Sequence, residues 1–270
     1  MHDAATVHNL APLRARLSAI RSRLDGRLSI VVQRVEDDEP AIDLGGATVY
    51  SSASVIKLPV LWTFFEQVDR GQLDPAQPWT LADTDRVDGT GILSYLQTGA
   101  TMTLLDLATL MTIVSDNAAT NVLIERLGVA AIQEAIDCLG LSATRLGRKM
   151  FDFEARARGL DNLICARDIA RLLRHFATGD GLSACSAERA RAILRGQQFN
   201  AGLPARLPEE AVVYHKTGNL PGLLHDAGWI ERDRGSAIVV ALSDGLTNDG
   251  DGAAALAAVG EAVWEWLDAG

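Results

Sequence analysis

The sequence predicts an α+β fold: an antiparallel sheet built from the N- and C-terminal segments, with flanking helices and a helical subdomain inserted in the middle. Three observations carry this reading. β-rich runs lie toward the two ends of the chain, within 28–44 and 211–243. Helical periodicity fills the stretch between them, the segregated order expected of an α+β fold. No repeat, low-complexity stretch or linker interrupts the 270 residues, so the insert is expected to pack against the sheet as part of one domain. The sheet subdomain takes about 1–53 and 205–270, and the helical subdomain about 54–204.

Leu10, Leu13, Leu17, Ile20 and Leu24 fall at helical spacing, which predicts an amphipathic helix over 10–24. Leu28–Val35 is a β-rich run, followed by the acidic turn Glu36–Pro40 and a second short run, Ala41–Leu44. Lys57–Val68 reads as a buried helix. Leu104–Val114 and Asn121–Leu127 read as helices on either side of a polar loop. Ala130–Leu139, Ala166–Phe176 and Ala187–Leu194 continue an all-helical middle. Ala211–Lys216, Ala227–Glu231 and Ser236–Ser243 read as strands, with Arg232-Asp233-Arg234-Gly235 as the hairpin turn between the last two. Ala253–Leu267 closes the chain as a helix carrying Trp264 and Trp266.

The chain is 48% hydrophobic and 22% charged, the balance of an ordinary globular protein. A net charge of −10 with no lysine-rich run argues against nucleic acid as a partner. Three widely spaced cysteines (Cys138, Cys165 and Cys185) argue against both a disulfide framework and a zinc site, and read as buried, inert thiols. No apolar run reaches the roughly 18 residues that cross a bilayer. Met1–Arg16 does not read as a signal peptide. The expectation is a cytoplasmic protein, or one exported by a segment outside this sequence. A monomer acting on a small molecule, with no cofactor, metal or membrane partner, is expected.

Only three lysines stand against twenty-two arginines, and two of the three lie beside hydroxyls: Ser54-Val55-Ile56-Lys57 and Lys216-Thr217-Gly218. Arginine is the ordinary surface cation here. Lysine, unlike arginine, loses its proton when desolvated or set near another cation. A serine three residues before such an amine is a candidate activated nucleophile. Ser54 stands at the start of a helical run, where unpaired N–H groups and a positive potential favour an oxyanion. Pro59 clashes with the carbonyl four residues back if it lies deep in a helix, so Ser54–Lys57 is read as a tight lead-in turn of 3₁₀ type that stacks Lys57 over Ser54. Ser115-Asp116-Asn117 lies between two helices, placed to aim side chains into a cleft. Gly218 lets another backbone approach the strand end. Taken singly, each motif has an ordinary structural reading: a capping serine, a polar loop, a strand-end lysine in solvent.

S-x-x-K is expected by chance about once in a chain this long, and each tripeptide in roughly one chain in twenty. All three in this order, 61 and 101 residues apart, are far more specific than any one. Together they resemble class A β-lactamases and penicillin-binding proteins, over at least Tyr50–Asp244. The resemblance implies that Ser54 attacks the lactam carbonyl with Lys57 as base. Ser115 relays a proton to the leaving nitrogen, and Asn117 holds the substrate amide. Asp116 orients its loop from behind. Lys216 and Thr217 hold a substrate carboxylate, Lys216 also helping to keep Lys57 neutral. The N–H groups of Ser54 and Asn219 form the oxyanion hole. His225, where relatives often carry an arginine, is read either as a weaker carboxylate partner or as a hydrogen-bonded strand histidine.

The resemblance breaks at the acid that releases the acyl-enzyme. Arg145–Arg148 look like the start of the relevant loop, yet the expected glutamate falls near Lys149 or Met150, and no Glu-x-x-x-Asn occurs. Glu154 is taken as the candidate base, with Asp152 as the alternative. Beside an acyl-serine β-lactamase with slow deacylation stand two alternatives: a D-alanyl peptidase or esterase, and a penicillin-binding module acylated without turnover. No G-x-S-x-G, H-E-x-x-H, P-loop or G-x-G-x-x-G occurs.

Overall fold

The computed structural model describes residues 10–268; the first part of the stretch read for an export signal lies outside them. The elements run α1 (Leu10–Arg23), β1 (Arg27–Arg34), β2 (Ile42–Leu44), β3 (Val49–Ser51), α2 (Lys57–Asp69), β4 (Pro78–Thr80), β5 (Thr101–Thr103), α3 (Leu104–Ile113), α4 (Asn117–Leu127), α5 (Val129–Cys138), α6 (Phe153–Ala157), β6 (Leu163–Cys165), α7 (Ala166–Thr178), α8 (Ala184–Arg195), β7 (Val212–Leu220), β8 (Leu223–Arg232), β9 (Gly235–Asp244) and α9 (Asp249–Asp268). Five strands form one antiparallel sheet in the order β2-β1-β9-β8-β7, so both ends of the chain build it.

Both faces of the sheet are covered, which is why β1 and β9 are buried along nearly their whole length instead of alternating. One face packs on α1 and α9 through Leu17, Ile30, Val239, Val259 and Val263. The other packs on the helical part through Val31, Trp229, Val240 and Leu242. α2 lies at the centre of that part: Lys57–Phe65 is buried without a break, the pattern of a helix packed on all sides.

The middle is not all-helical. β3 pairs with β6, and β4 with β5, as two small ladders. Each strand is three residues long, too short to show the alternation that reveals a strand. β7 and β8 run further than the sequence predicts, since pairing from Val212↔Glu231 to Leu220↔Leu223 carries the polar Lys216–Asn219 stretch into the ladder. α4 begins at Asn117 because the Asp116 side chain caps it. Of the cysteines only Cys165 is buried, and burial pushes its thiol up to about 11. Cys138 and Cys185 lie on exposed helix faces, against the expectation that all three are buried. No described helix is long and apolar enough to cross a membrane.

α9 meets the loop before β7 backbone to backbone. A Cβ on Gly260 lies 2.0 Å from the Leu203 carbonyl oxygen. Gly260→Ala is therefore expected to destabilise the fold by about 1–3 kcal/mol through overpacking, despite alanine's better helix propensity. Thermal unfolding reads this as a lower Tm; an unchanged Tm contradicts the close approach.

Candidate active site

Three chain segments meet at one buried hydroxyl. Ala53–Ile56 forms the 3₁₀ turn expected before α2, with the Lys57 N–H donating to Ser54 and Val55 carbonyls. The Lys57 Nζ, buried to 1% exposure, is bonded to the Ser115 carbonyl at 2.7 Å, Ser115 Oγ at 3.0 Å and Asn117 Oδ1 at 2.9 Å. From the other side the Lys216 Nζ, fully buried, donates to Ser115 Oγ at 3.1 Å and to the Thr217 carbonyl at 2.9 Å. Ser115 Oγ thus lies between two amines.

Burial lowers the Lys57 amine well below its ordinary pKa; the neighbouring Lys216 charge lowers it further, while Asp116 opposes both. Burial also brings Lys216 down to about 7, against the attraction of Asp226. A neutral amine has two N–H donors and one lone pair, yet Lys57 faces three oxygens. Of these only the Ser115 hydroxyl can reverse and donate. Neutral Lys57 therefore fits a directed chain, in which Lys216 donates to Ser115 and Ser115 donates to Lys57. These contacts turn the Lys57 amine toward Ser115 and Asn117. Among the described residues the Ser54 hydroxyl has no hydrogen-bond partner, so the stacking expected of the turn does not become a Lys57–Ser54 bond.

Asp116 holds this arrangement from behind. Its carboxylate is buried and accepts from the N–H groups of Ala119, Ile92 and Leu93 at 2.7–2.9 Å. The Asn117 amide donates to the Asp88 carbonyl, and Thr90 Oγ1 donates to the Ser115 carbonyl. Gly218 seats the strand end against the 3₁₀ turn: a Cβ there lies 3.1 Å from Ala53 Cβ and 3.2 Å from the Ser52 carbonyl. Ser54 and Asn219 consequently line the same cavity, of about 440 Å³. A second cavity of about 470 Å³ shares Thr90 and Asn219 with the first and takes in Thr217. The two read as one cleft.

The loop that carries the missing acid is held at its base. Arg145 and Leu163 exchange backbone hydrogen bonds of 2.9 and 3.0 Å. Asn162 Oδ1 accepts from Gly147 and Arg148, and the Asn162 carbonyl accepts from Ser52. Asp161 pairs with Arg148 and accepts from Ser51. Asn121 clamps the Met150 backbone through both its N–H, at 2.7 Å, and its carbonyl, at 3.1 Å. Met150, only 8% exposed, therefore faces the Ser54 cavity, while Lys149 pairs with Glu125 at the surface. Glu154 is exposed on α6 and does not line the cavity. Asp152 is committed to capping α6 through Ala155. The structure thus brings neither acid to Ser54.

His225 borders the half of the cleft that takes in Thr217, with its ring nitrogens on the main chain. It is 1% exposed, with Nε2 2.9 Å from the Ser51 carbonyl and Nδ1 3.2 Å from the Ser243 nitrogen. Burial lowers its pKa. Its ring supports the backbone before the 3₁₀ turn, the hydrogen-bonded alternative for this residue, and is spent on main-chain atoms. Sequence reasoning missed a neighbouring network: His215 Nδ1 lies 2.8 Å from Asp226 Oδ1 and its Nε2 3.1 Å from Asn200 Oδ1, while Asp226 also accepts from the Leu203 N–H. It missed Thr90, Met150, Phe151, Phe153 and Arg156 as cavity residues too. The three non-glycine residues with positive φ among those described are Ala53, Ser115 and Phe151, at +42°, +54° and +61°, and all belong to this site.

The description "Beta-lactamase enzyme family" matches residues 12–267. Among solved structures, the chain is similar to a β-lactamase from Sphaerobacter thermophilus DSM 20745, at 25% identity and a TM-score of 0.88, covering 97% of this chain and 98% of that one. It is similar to a variant of PBP-A captured as an acyl-enzyme complex with penicillin G, at 27% identity and a TM-score of 0.86, covering 96% and 97%. An ancestral class A β-lactamase matches at 27% identity and a TM-score of 0.85, covering 94% and 99%.

Asp116→Ala leaves three backbone donors without their acceptor. At about 1–3 kcal/mol for each orphaned group, the loss is expected to reach about 3 kcal/mol or more. Denaturant unfolding measures it; a loss below about 1 kcal/mol means that the carboxylate is not what holds the loop.

Proposed function

The chain belongs to the β-lactamase enzyme family, and on that premise we propose that it is a serine hydrolase that opens a β-lactam ring through an acyl-Ser54 intermediate. The observation that carries this reading is the convergence of Lys57, Ser115 and Lys216 on one hydroxyl beside a cavity that Ser54 lines. Ser54 Oγ attacks the carbonyl and its proton passes to the neutral Lys57, directly or through water as the site tightens on substrate. The N–H groups of Ser54 and Asn219 receive the oxyanion. Ser115 delivers a proton to the leaving nitrogen, replenished along the Lys57–Ser115–Lys216 chain. Asn117 orients the substrate amide. Thr217, with Lys216 beneath it, receives the substrate carboxylate. The same reading divides the chain into a sheet part, about 1–53 and 205–270, and a helical part, about 54–204, with the cleft at their junction.

One observation favours slow release of the acyl group. Among the described residues no carboxylate lines the cavity that holds Ser54; Met150, Phe151 and Phe153 stand there instead. Without a positioned base, deacylation forgoes about 10²–10⁴-fold of rate. A penicillin-binding protein acylated with little turnover is therefore the second reading.

Intact-mass spectrometry with a penicillin over time tests both. A long-lived adduct on the wild-type protein, none on Ser54→Ala and an unchanged lifetime in Glu154→Ala are expected. An adduct on Ser54→Ala removes Ser54 as nucleophile. Fast turnover abolished by Glu154→Ala removes the slow-release reading.

The pH dependence has a fixed sign. Lys57 acts as base only when neutral, and burial beside Lys216 makes that form available at lower pH than for an ordinary lysine, so acylation falls as pH drops through the lowered pKa. Lys216, at about 7, is charged below that pH and holds an anion better there. The half-saturating concentration for a carboxylate-bearing substrate should rise above about pH 7. Lys57→Arg keeps the charge and loses the base. It should acylate as poorly as Lys57→Ala; an Arg variant close to the wild-type rate refutes the base role.

A further inference from the structure

The two halves of the cleft differ in chemistry. Among the described residues, the half that takes in Thr217 is lined by no lysine or arginine side chain; its one carboxylate, Asp226, is already bonded to His215 and the Leu203 N–H. The half that takes in Ser54 is walled by Phe151 and Phe153, set edge to face with centroids 5.4 Å apart. These rings are 39% and 62% exposed. Phe151 reaches its place in a left-handed conformation that disfavours a bulky side chain, with its ring against Gly89, where a Cβ lies 2.6 Å away. Two solvent-exposed aromatic rings at a cleft wall, one of them on a left-handed backbone, fit a hydrophobic ligand better than they fit the core.

Two guanidinium groups line the same half. Arg148 is committed to Asp161. Arg156, exposed on α6, has no side-chain acceptor among the described residues, and no carboxylate lines the cavity around it. The uncommitted positive charge of the cleft thus lies beside an aromatic wall, on the side of the nucleophile. The acyl group that stays bonded to Ser54 occupies the cavity that Ser54 lines.

We propose that this cavity selects substrates whose acyl side chain is aromatic or bulky and apolar and ends in an anion, with the apolar body on Phe151 and Phe153 and a carboxylate facing Arg156. The inference rests on Ser54 being the nucleophile and names the substrate class of that site.

The test compares three penicillins alike except for the acyl group: acetyl, phenylacetyl and carboxyphenylacetyl. Second-order acylation rates are followed by intact mass. The phenylacetyl compound should outpace the acetyl one, and the carboxylated compound should outpace the phenylacetyl one by about two- to fivefold at low salt, the range for an exposed ion pair. Added salt should shrink the second preference. Arg156→Ala should abolish it and Arg156→Lys keep it. Phe153→Ala should slow both aromatic compounds while sparing the acetyl one. Equal rates for the two aromatic compounds, or a preference that survives Arg156→Ala, overturn this inference alone. Absence of both adduct and ring-opened product from all three overturns the acylation reading and this inference with it.

Discussion

Two buried amines share one hydroxyl, and much of the site follows from that sharing. Ser115 Oγ lies 3.0 Å from Lys57 Nζ and 3.1 Å from Lys216 Nζ. Neither amine has a carboxylate as its hydrogen-bond partner, so burial acts against both charges and lowers both pKa values. The arrangement needs Ser115 to stand left-handed, at φ +54°. That in turn needs Asp116 to hold three backbone N–H groups, and Thr90 to hold the Ser115 carbonyl. The interaction is electrostatically costly, and the well-packed helical core around α2 is what over-determines it.

The parts of this design that are local could be read from the sequence. A serine three residues before a lysine, with a proline two residues further on, implies a tight turn ahead of a helix, and a 3₁₀ turn stands at Ala53–Ile56. Helices on either side of Ser115–Asn117, and main-sheet strands drawn from the two ends of the chain, follow from periodicity, and the five-stranded sheet agrees. Strand length was less legible, because Lys216–Asn219 joins β7 through its partner Leu224–Ala227 and through no propensity of its own.

What could not be read is set by contacts distant in sequence. Nothing near Met150 announces that Asn121, 29 residues earlier, will clamp its backbone and turn the loop so that Glu154 faces solvent. Nothing near His225 announces that the Ser51 carbonyl, 174 residues away, will claim its ring. Ala53 and Phe151 carry no residue-type signal for left-handed backbone, which ordinarily favours glycine or asparagine. Local patterns reveal which groups the chain possesses, and long-range closure decides which of them face one another.

The scarcity of lysine has a consequence for reactivity toward acyl donors at large. Two of the three lysine side chains are 1% exposed or less, and the third, Lys149, is half-committed to Glu125. Twenty-two arginines carry the remaining positive charge as guanidinium groups that stay protonated and do not act as nucleophiles. Apart from Lys149, the described surface offers no amine side chain that an activated carbonyl compound could acylate. The fold therefore confines its other reactive side-chain amines to the cleft, and the exposed thiols of Cys138 and Cys185 are what such compounds meet outside it.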